Sequence, residues 1–292
     1  MRKSILLPGL AVLGGGLGFV LRWWQWSTAY DPVDQRFISG AFPTYALLGL
    51  TALLAALFLV LVRGGGQKPD DFLPAFRCPS TGHMTLLTVS AFLFLGAGLL
   101  GLLEGMEQLS LWRAYPDSYV LTYPAALLLC ALFCFPAGVS VLLLGKGAYR
   151  GTPAPAASLL ASFPAFAGLG WLFATHLNHG TDPILMNYGF TLAAAALLML
   201  AHYYIAGFFF GRCHPGRAAF CALLGSVLGL ISLADQPNRF VAVLTAAFVL
   251  SALAHVRALL RNTFGPPWPK RLLDERMPLG AQDKEETDET TD

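Results

Sequence analysis

His176 and His179 stand three residues apart with Asp182 close behind them. On a continuing helical turn that spacing puts both imidazoles on one side. Glu104 and Glu107, at the end of another apolar stretch, could bring further carboxylates to the same place. Two imidazoles plus carboxylates suit a divalent transition metal with an open coordination position, so a metal on this cluster is one expectation. The same residues also read as a plain polar helix end, and the segment lacks the H-E-x-x-H pattern of a metal hydrolase.

A second group is His202, Tyr203 and Tyr204, which falls inside a long apolar run. The histidine lies about four residues past the middle of that run, so roughly 6 Å from the midplane at helical rise. An imidazole titrates near neutral pH and suits proton relay or ligand binding, with one of the tyrosines as its partner. The competing expectation is a neutral histidine that donates one structural hydrogen bond to a neighbouring helix.

Three more arrangements bear on function. Cys78 with His83, and Cys213 with His214, hold thiols and imidazoles, but their spacings match no zinc module. Arg22, Trp23, Trp24 and Trp26 form a dense cluster that reads as an aromatic belt with a snorkelling arginine, or as a seat for an anionic headgroup. Pro136 and Pro164 stand inside apolar runs, where proline breaks the helical hydrogen-bond ladder and frees a carbonyl, here of Leu132 and Leu160. Broken helices of that kind mark substrate sites in many carriers.

The elements that must position these side chains follow from the distribution of apolar residues. The chain of 292 residues is 55% hydrophobic and 12% charged, and the apolar residues come in blocks. Each block is about 20 residues, the length a helix needs to cross hydrocarbon. Eight spans are predicted, near 4–24, 42–62, 83–104, 119–145, 155–177, 186–211, 218–234 and 239–258, joined by short connections. The first begins Met1-Arg2-Lys3 but is too long for a signal peptide, and tryptophans stand where a cleavage site belongs, so it reads as a retained helix. The fold class expected is all-α, a bundle of about eight transmembrane helices over residues 1–264. Beyond it, residues 265–292 are a Pro-rich exit and an acidic tail without apolar residues to bury.

Charge orients the bundle. With the N-terminus inside, Arg2, Lys3, Arg63, Lys68, Arg77, Lys146, Arg150, Arg212, Arg217, Arg257, Arg261, Lys270, Arg271, Arg276 and Lys284 all fall on one side, against Arg22, Arg36, Arg113 and Arg239 on the other. Translocating basic loops is disfavoured, so both termini are expected in the cytoplasm and the protein in the plasma membrane. The five cysteines suggest no disulfide framework. Gly14 and Gly18, Gly101 and Gly105, and Gly225 and Gly229 form G-x-x-x-G pairs, which let neighbouring helix backbones approach closely.

No phosphate loop, serine elbow, zincin pattern or haem-type histidine pair stands in the chain. The function expected is permease-like or transporter-like, for a small solute or lipid. The alternatives are a non-catalytic subunit or sensor that binds a protein partner through its inner loops and tail, and an intramembrane metal-dependent enzyme. The bilayer is a partner in every case, and nothing points to nucleic acid.

Overall fold

A computed structural model describes residues 3–63, 69–179, 185–266 and 268. Eight of its helices are long and apolar enough to cross a membrane. The elements in order are α1 (Lys3–Thr28), a small hairpin of β1 (Tyr30–Asp31) and β2 (Arg36–Phe37), α2 (Phe42–Val62), a short α3 (Phe72–Phe76), α4 (Thr81–Ala114) and α5 (Thr122–Arg150). Then come a four-residue α6 (Ala157–Leu160), α7 (Phe163–Asn178), α8 (Leu185–Gly207), α9 (Pro215–Ser232) and α10 (Arg239–Phe264). These helices overlie all eight predicted spans and are longer than predicted at several ends, where polar residues such as Ser110, Trp112 and Arg113 continue α4 past the hydrocarbon.

Helices α4, α5, α7, α8, α9 and α10 contact one another in that order and α10 returns to α4, which closes a ring of six. Helix α1 lies against α9 and α10, and α2 covers α1 and α9. Burial follows this plan. The apolar windows of α9 and α10 are 72% buried, whereas that of α2 is 17% buried. Leu13, Leu53, Phe92 and Leu103 point outward and are exposed, as an apolar belt facing lipid requires.

Consecutive spans alternate in direction, so charge separates by end. One end gathers Lys3, Arg63, Arg77, Lys146, Arg150, Arg212, Arg217, Arg257 and Arg261 against Asp70 and Asp71, and is called the basic end below. The other end holds Asp31, Asp34, Glu104, Glu107, Asp117 and Asp235 against four arginines, Arg22, Arg36, Arg113 and Arg239, and is called the acidic end.

The glycine pairs sit at helix contacts. A Cβ on Gly101 would lie 2.7 Å from the Phe240 ring, and one on Gly229 would lie 2.9 Å from Val249. Other close approaches fall outside the pair pattern: at Gly170 a Cβ would lie 2.8 Å from the Cα of Cys130, so α7 and α5 meet backbone to backbone, and at Gly138 one would lie 2.8 Å from the carbonyl of Ala91. Gly101→Leu, Gly170→Leu and Gly229→Leu are each expected to lower the unfolding midpoint in mild detergent, at a cost of about 1–3 kcal/mol. Unchanged melting of all three would show that these strips can be parted freely.

The prolines need correction as helix breaks. Pro136 lies inside an uninterrupted α5, as does Pro8 in α1. Pro164 does follow a break, but it stands in the first turn of α7, where a proline's missing N–H has no intrahelical acceptor to lose. The fifth span is therefore two helical pieces, α6 and α7, parted near the basic end rather than in mid-span.

Candidate functional site

Helix α1 buries Ala11, Gly14, Gly15, Gly18, Arg22 and Gln25. These positions repeat every three or four residues, so Arg22 lies on the same face as the glycines and points at the bundle. The belt reading of Arg22 is thus overturned. Its side chain is 0% exposed, while Trp23 and Trp24 do point outward at 59% and 40%.

An arginine at that depth needs acceptors, because an unpaired charge in a low-dielectric interior is heavily penalised. Arg22 Nε pairs with Asp235 Oδ1 at 2.6 Å. Its Nη1 donates to Gln25 Oε1 at 2.7 Å, and its Nη2 donates to the carbonyls of Met186 at 2.9 Å and Asn187 at 3.3 Å. Trp26 Nε1 donates to the same Asp235 oxygen at 2.8 Å. The guanidinium carbon stands 4.8 Å from the Phe37 ring centroid and 5.1 Å from that of Phe190. One side chain thereby ties α1, the hairpin, the start of α8 and the end of α9 together. The hairpin is shaped for this by Asp31, whose Oδ1 accepts from Val33 N at 2.9 Å, and by Gln35, which takes a left-handed conformation at φ 52°.

Only one oxygen of Asp235 is used. Its Oδ2 is buried and has no hydrogen-bond partner among the described residues. Beside it, at the acidic end, opens a cavity of about 230 Å³, lined by Asp235, Trp171, Asn178, His179, Tyr188 and Asn238 among others. Trp171 is fully buried, and its Nε1 also lacks a partner among the described residues. Each such group costs about 1–3 kcal/mol if it stays unmatched. His179 stacks on Tyr188 with centroids 4.6 Å apart and planes within 4°. Asn238 caps α10 by accepting from Val241 N at 2.8 Å, and its amide donates to Glu104.

Behind Trp171 the core is aromatic. The Trp171 ring stacks on Phe248 at 5.6 Å, and Phe94 and His202 meet Phe248 edge-on at 4.8 and 5.1 Å. These rings separate the acidic-end cavity from a line of buried histidines.

His202 Nδ1 lies 2.8 Å from Leu198 O, which can only accept, so Nδ1 carries the proton. Its Nε2 then accepts from Ser251 Oγ at 3.0 Å. By the same reasoning His255 Nδ1 donates to Ser251 O at 2.8 Å, leaving its buried Nε2 without a partner among the described residues. The His83 ring lies 6.4 Å from that of His255, and both His83 nitrogens are likewise unmatched. His202 thus takes its partner from α10. Tyr203 and Tyr204 instead line a separate groove of about 610 Å³ with Arg212, His214 and Arg217 at the basic end. A His202→Phe change is expected to cost about 1–3 kcal/mol by stranding the Ser251 hydroxyl. Adding Ser251→Ala should recover most of that loss, and strict additivity of the two changes in detergent melting would refute the pairing.

Among the described residues the members of the expected metal cluster are not brought together. His176 and Glu107 are exposed, Glu104 is bound to Asn238, and Asp182 falls outside the described residues. Among the described residues no group of three or more His, Cys, Asp or Glu side chains could hold a metal ion. Nor are the two loop cysteines ready thiolates. Burial pushes the Cys78 thiol up, and burial with the nearby Asp70 and Asp71 does the same to Cys213.

Sequence reasoning missed the partners rather than the anchors. Asp235 and His255 each stand alone in the sequence without a motif around them, and His83 pairs there only with Cys78, not with His255. The glycine-bearing face of α1 was the one signal that pointed Arg22 inward. No known protein family matches the sequence, no curated protein matches it, and no solved structure matches its fold.

Proposed function

We propose that this is a permease-like integral membrane protein that takes a small polar solute at the acidic-end cavity. One observation carries the reading: a cavity of about 230 Å³ is bordered by a carboxylate oxygen and an indole N–H that no described residue matches. A solute that satisfies both must carry a donor for Asp235 Oδ2 and an acceptor for Trp171 Nε1. Small zwitterions and amino alcohols fit that description. The neighbouring Arg22 neutralises the charge of the carboxylate, so the site favours a neutral or zwitterionic solute over a divalent cation.

The basic end faces the cytoplasm in this proposal, because nearly all the basic loop residues lie there. Thiol reagents applied to intact cells should then label a cysteine placed at Asp34 and spare one placed at Lys146. The opposite pattern would invert the orientation.

The solute proposal is tested by thermal unfolding of the purified protein against small amino acids, amino alcohols, polyols and simple amines. At one hundred times its dissociation constant a bound solute stabilises by about 2.7 kcal/mol, which melting resolves easily. The expected result is stabilisation by at least one zwitterion or amino alcohol, lost in Trp171→Phe. A panel that shifts the wild type and Trp171→Phe alike, or neither, overturns the proposal.

A further inference from the structure

The basic end holds a second cavity, of about 600 Å³, whose lining includes Lys3, Arg257, Arg261, Cys78, Ser80 and Trp268. No carboxylate is among the described residues that line it. Among the described residues none of its cations has an acidic partner. Lys3 Nζ donates to Leu61 O at 3.0 Å and sits 4.2 Å above the Phe264 ring. Arg261 donates to the carbonyl of Pro266 and lies 4.6 Å over the Trp268 ring. Arg257 is exposed, and neither a hydrogen bond nor an ion pair engages its guanidinium among the described residues.

The wall is held in place by its own bonds. Trp268 Nε1 donates to Asn262 Oδ1 at 2.8 Å, and Asn262 Nδ2 donates to the carbonyls of Ala75 and Arg77 at 3.0 and 2.9 Å. Helix α4 also begins at this cavity. Its N-cap, Ser80, lines the cavity and makes no side-chain cap bond, so the positive end of a 34-residue helix dipole lies at this wall. Burial raises the Cys78 thiol while Arg257 and Arg261 pull it down, so the field of both arginines reaches the cavity lining.

Three like charges in one recess repel each other and strain toward an anion that bridges them. Arginine and lysine with helix amides favour tetrahedral oxyanions in particular. From this convergence we infer that the basic-end cavity binds a phosphate group, through Arg257 and Arg261 with Lys3 beside them. The inference goes beyond the solute proposal and does not depend on it, since the two cavities lie at opposite ends.

A lipid headgroup and a free phosphate share this chemistry, and the experiment separates them. Unfolding midpoints of the full chain are measured with short-chain phosphatidylglycerol, with phosphatidylcholine, and with inorganic phosphate against chloride at equal ionic strength. Stabilisation by phosphatidylglycerol beyond phosphatidylcholine identifies a lipid site, and stabilisation by inorganic phosphate identifies a soluble one. In either case R257Q and R257Q/R261Q should weaken the apparent affinity about tenfold or more, the loss of one charge-assisted bond. R212Q/R217Q, which removes equal charge from the separate groove, should leave it unchanged. Absence of stabilisation by either phosphate source overturns the inference, as does equal weakening in the R212Q/R217Q control. R257Q keeps the test open if the double variant fails to fold, because Arg257 bonds to none of the described residues.

Discussion

Arg22→Met should destabilise the protein by about 3–5 kcal/mol, because it strands a carboxylate whose neighbours were arranged for a charge pair. The side chains involved are nearly dry, 0% exposed for Arg22 and 9% for Asp235. Asp235→Asn should cost less than Arg22→Met, since asparagine keeps an oxygen for Trp26 Nε1 and for Arg22. Replacing both partners with apolar residues, as in Arg22→Met with Asp235→Leu, should return most of the lost stability, a pattern seen where well-packed apolar groups replace buried ion pairs. Urea or thermal unfolding in one detergent measures all three. If each single variant stays within about 1 kcal/mol of the wild type, the pair is solvated and the account of α1 docking is wrong.

The second large effect is expected at Trp171. Trp171→Ala removes a fully buried ring that stacks on Phe248, and should cost about 3–5 kcal/mol through lost contacts and an unfilled cavity. Trp171→Phe keeps an aromatic ring against Phe248 and deletes the unmatched N–H, so it should cost far less. The two variants therefore divide packing from recognition: alanine lowers the midpoint strongly, whereas phenylalanine leaves the midpoint near its original value and abolishes the response to solute. Equal destabilisation by both would mean that the indole N–H is satisfied in the folded protein and is not offered to a solute.

The helices were legible because hydrocarbon imposes its thickness on the chain, and runs such as Leu53–Leu61 have no soluble alternative. Gly101 and Gly229 were legible as contact points because small residues at four-residue spacing mark one helix face. Arg22 was visible as an oddity but was assigned to the wrong environment, since a snorkelling arginine and a buried one look alike until the partner is known. That partner, Asp235, lies 213 positions away. The same holds for His202, whose partner Ser251 lies 49 residues on, with the whole of α9 between them. Local pattern determines which face a side chain takes. Which neighbour it meets depends on the order of helices around the ring, and no single span encodes that order.

The aromatic layer of Trp171, Phe248 and Phe94 has an electrical consequence. The acidic-end cavity reaches Trp171, and the basic-end cavity reaches Arg257, nine residues beyond Phe248 on α10. At helical rise that leaves about 14 Å of closed protein, roughly half the thickness of the hydrocarbon core. Were both cavities water-filled across an energised membrane, the voltage would fall across this slab at about twice its usual gradient. A charge carried past Phe248 would experience the full drop, about 2.3 kcal/mol per 100 mV, within a few side chains. The dipoles of His202 and Ser251, between Phe248 and Arg257, would lie within that compressed field, and their reorientation is where membrane potential would first register.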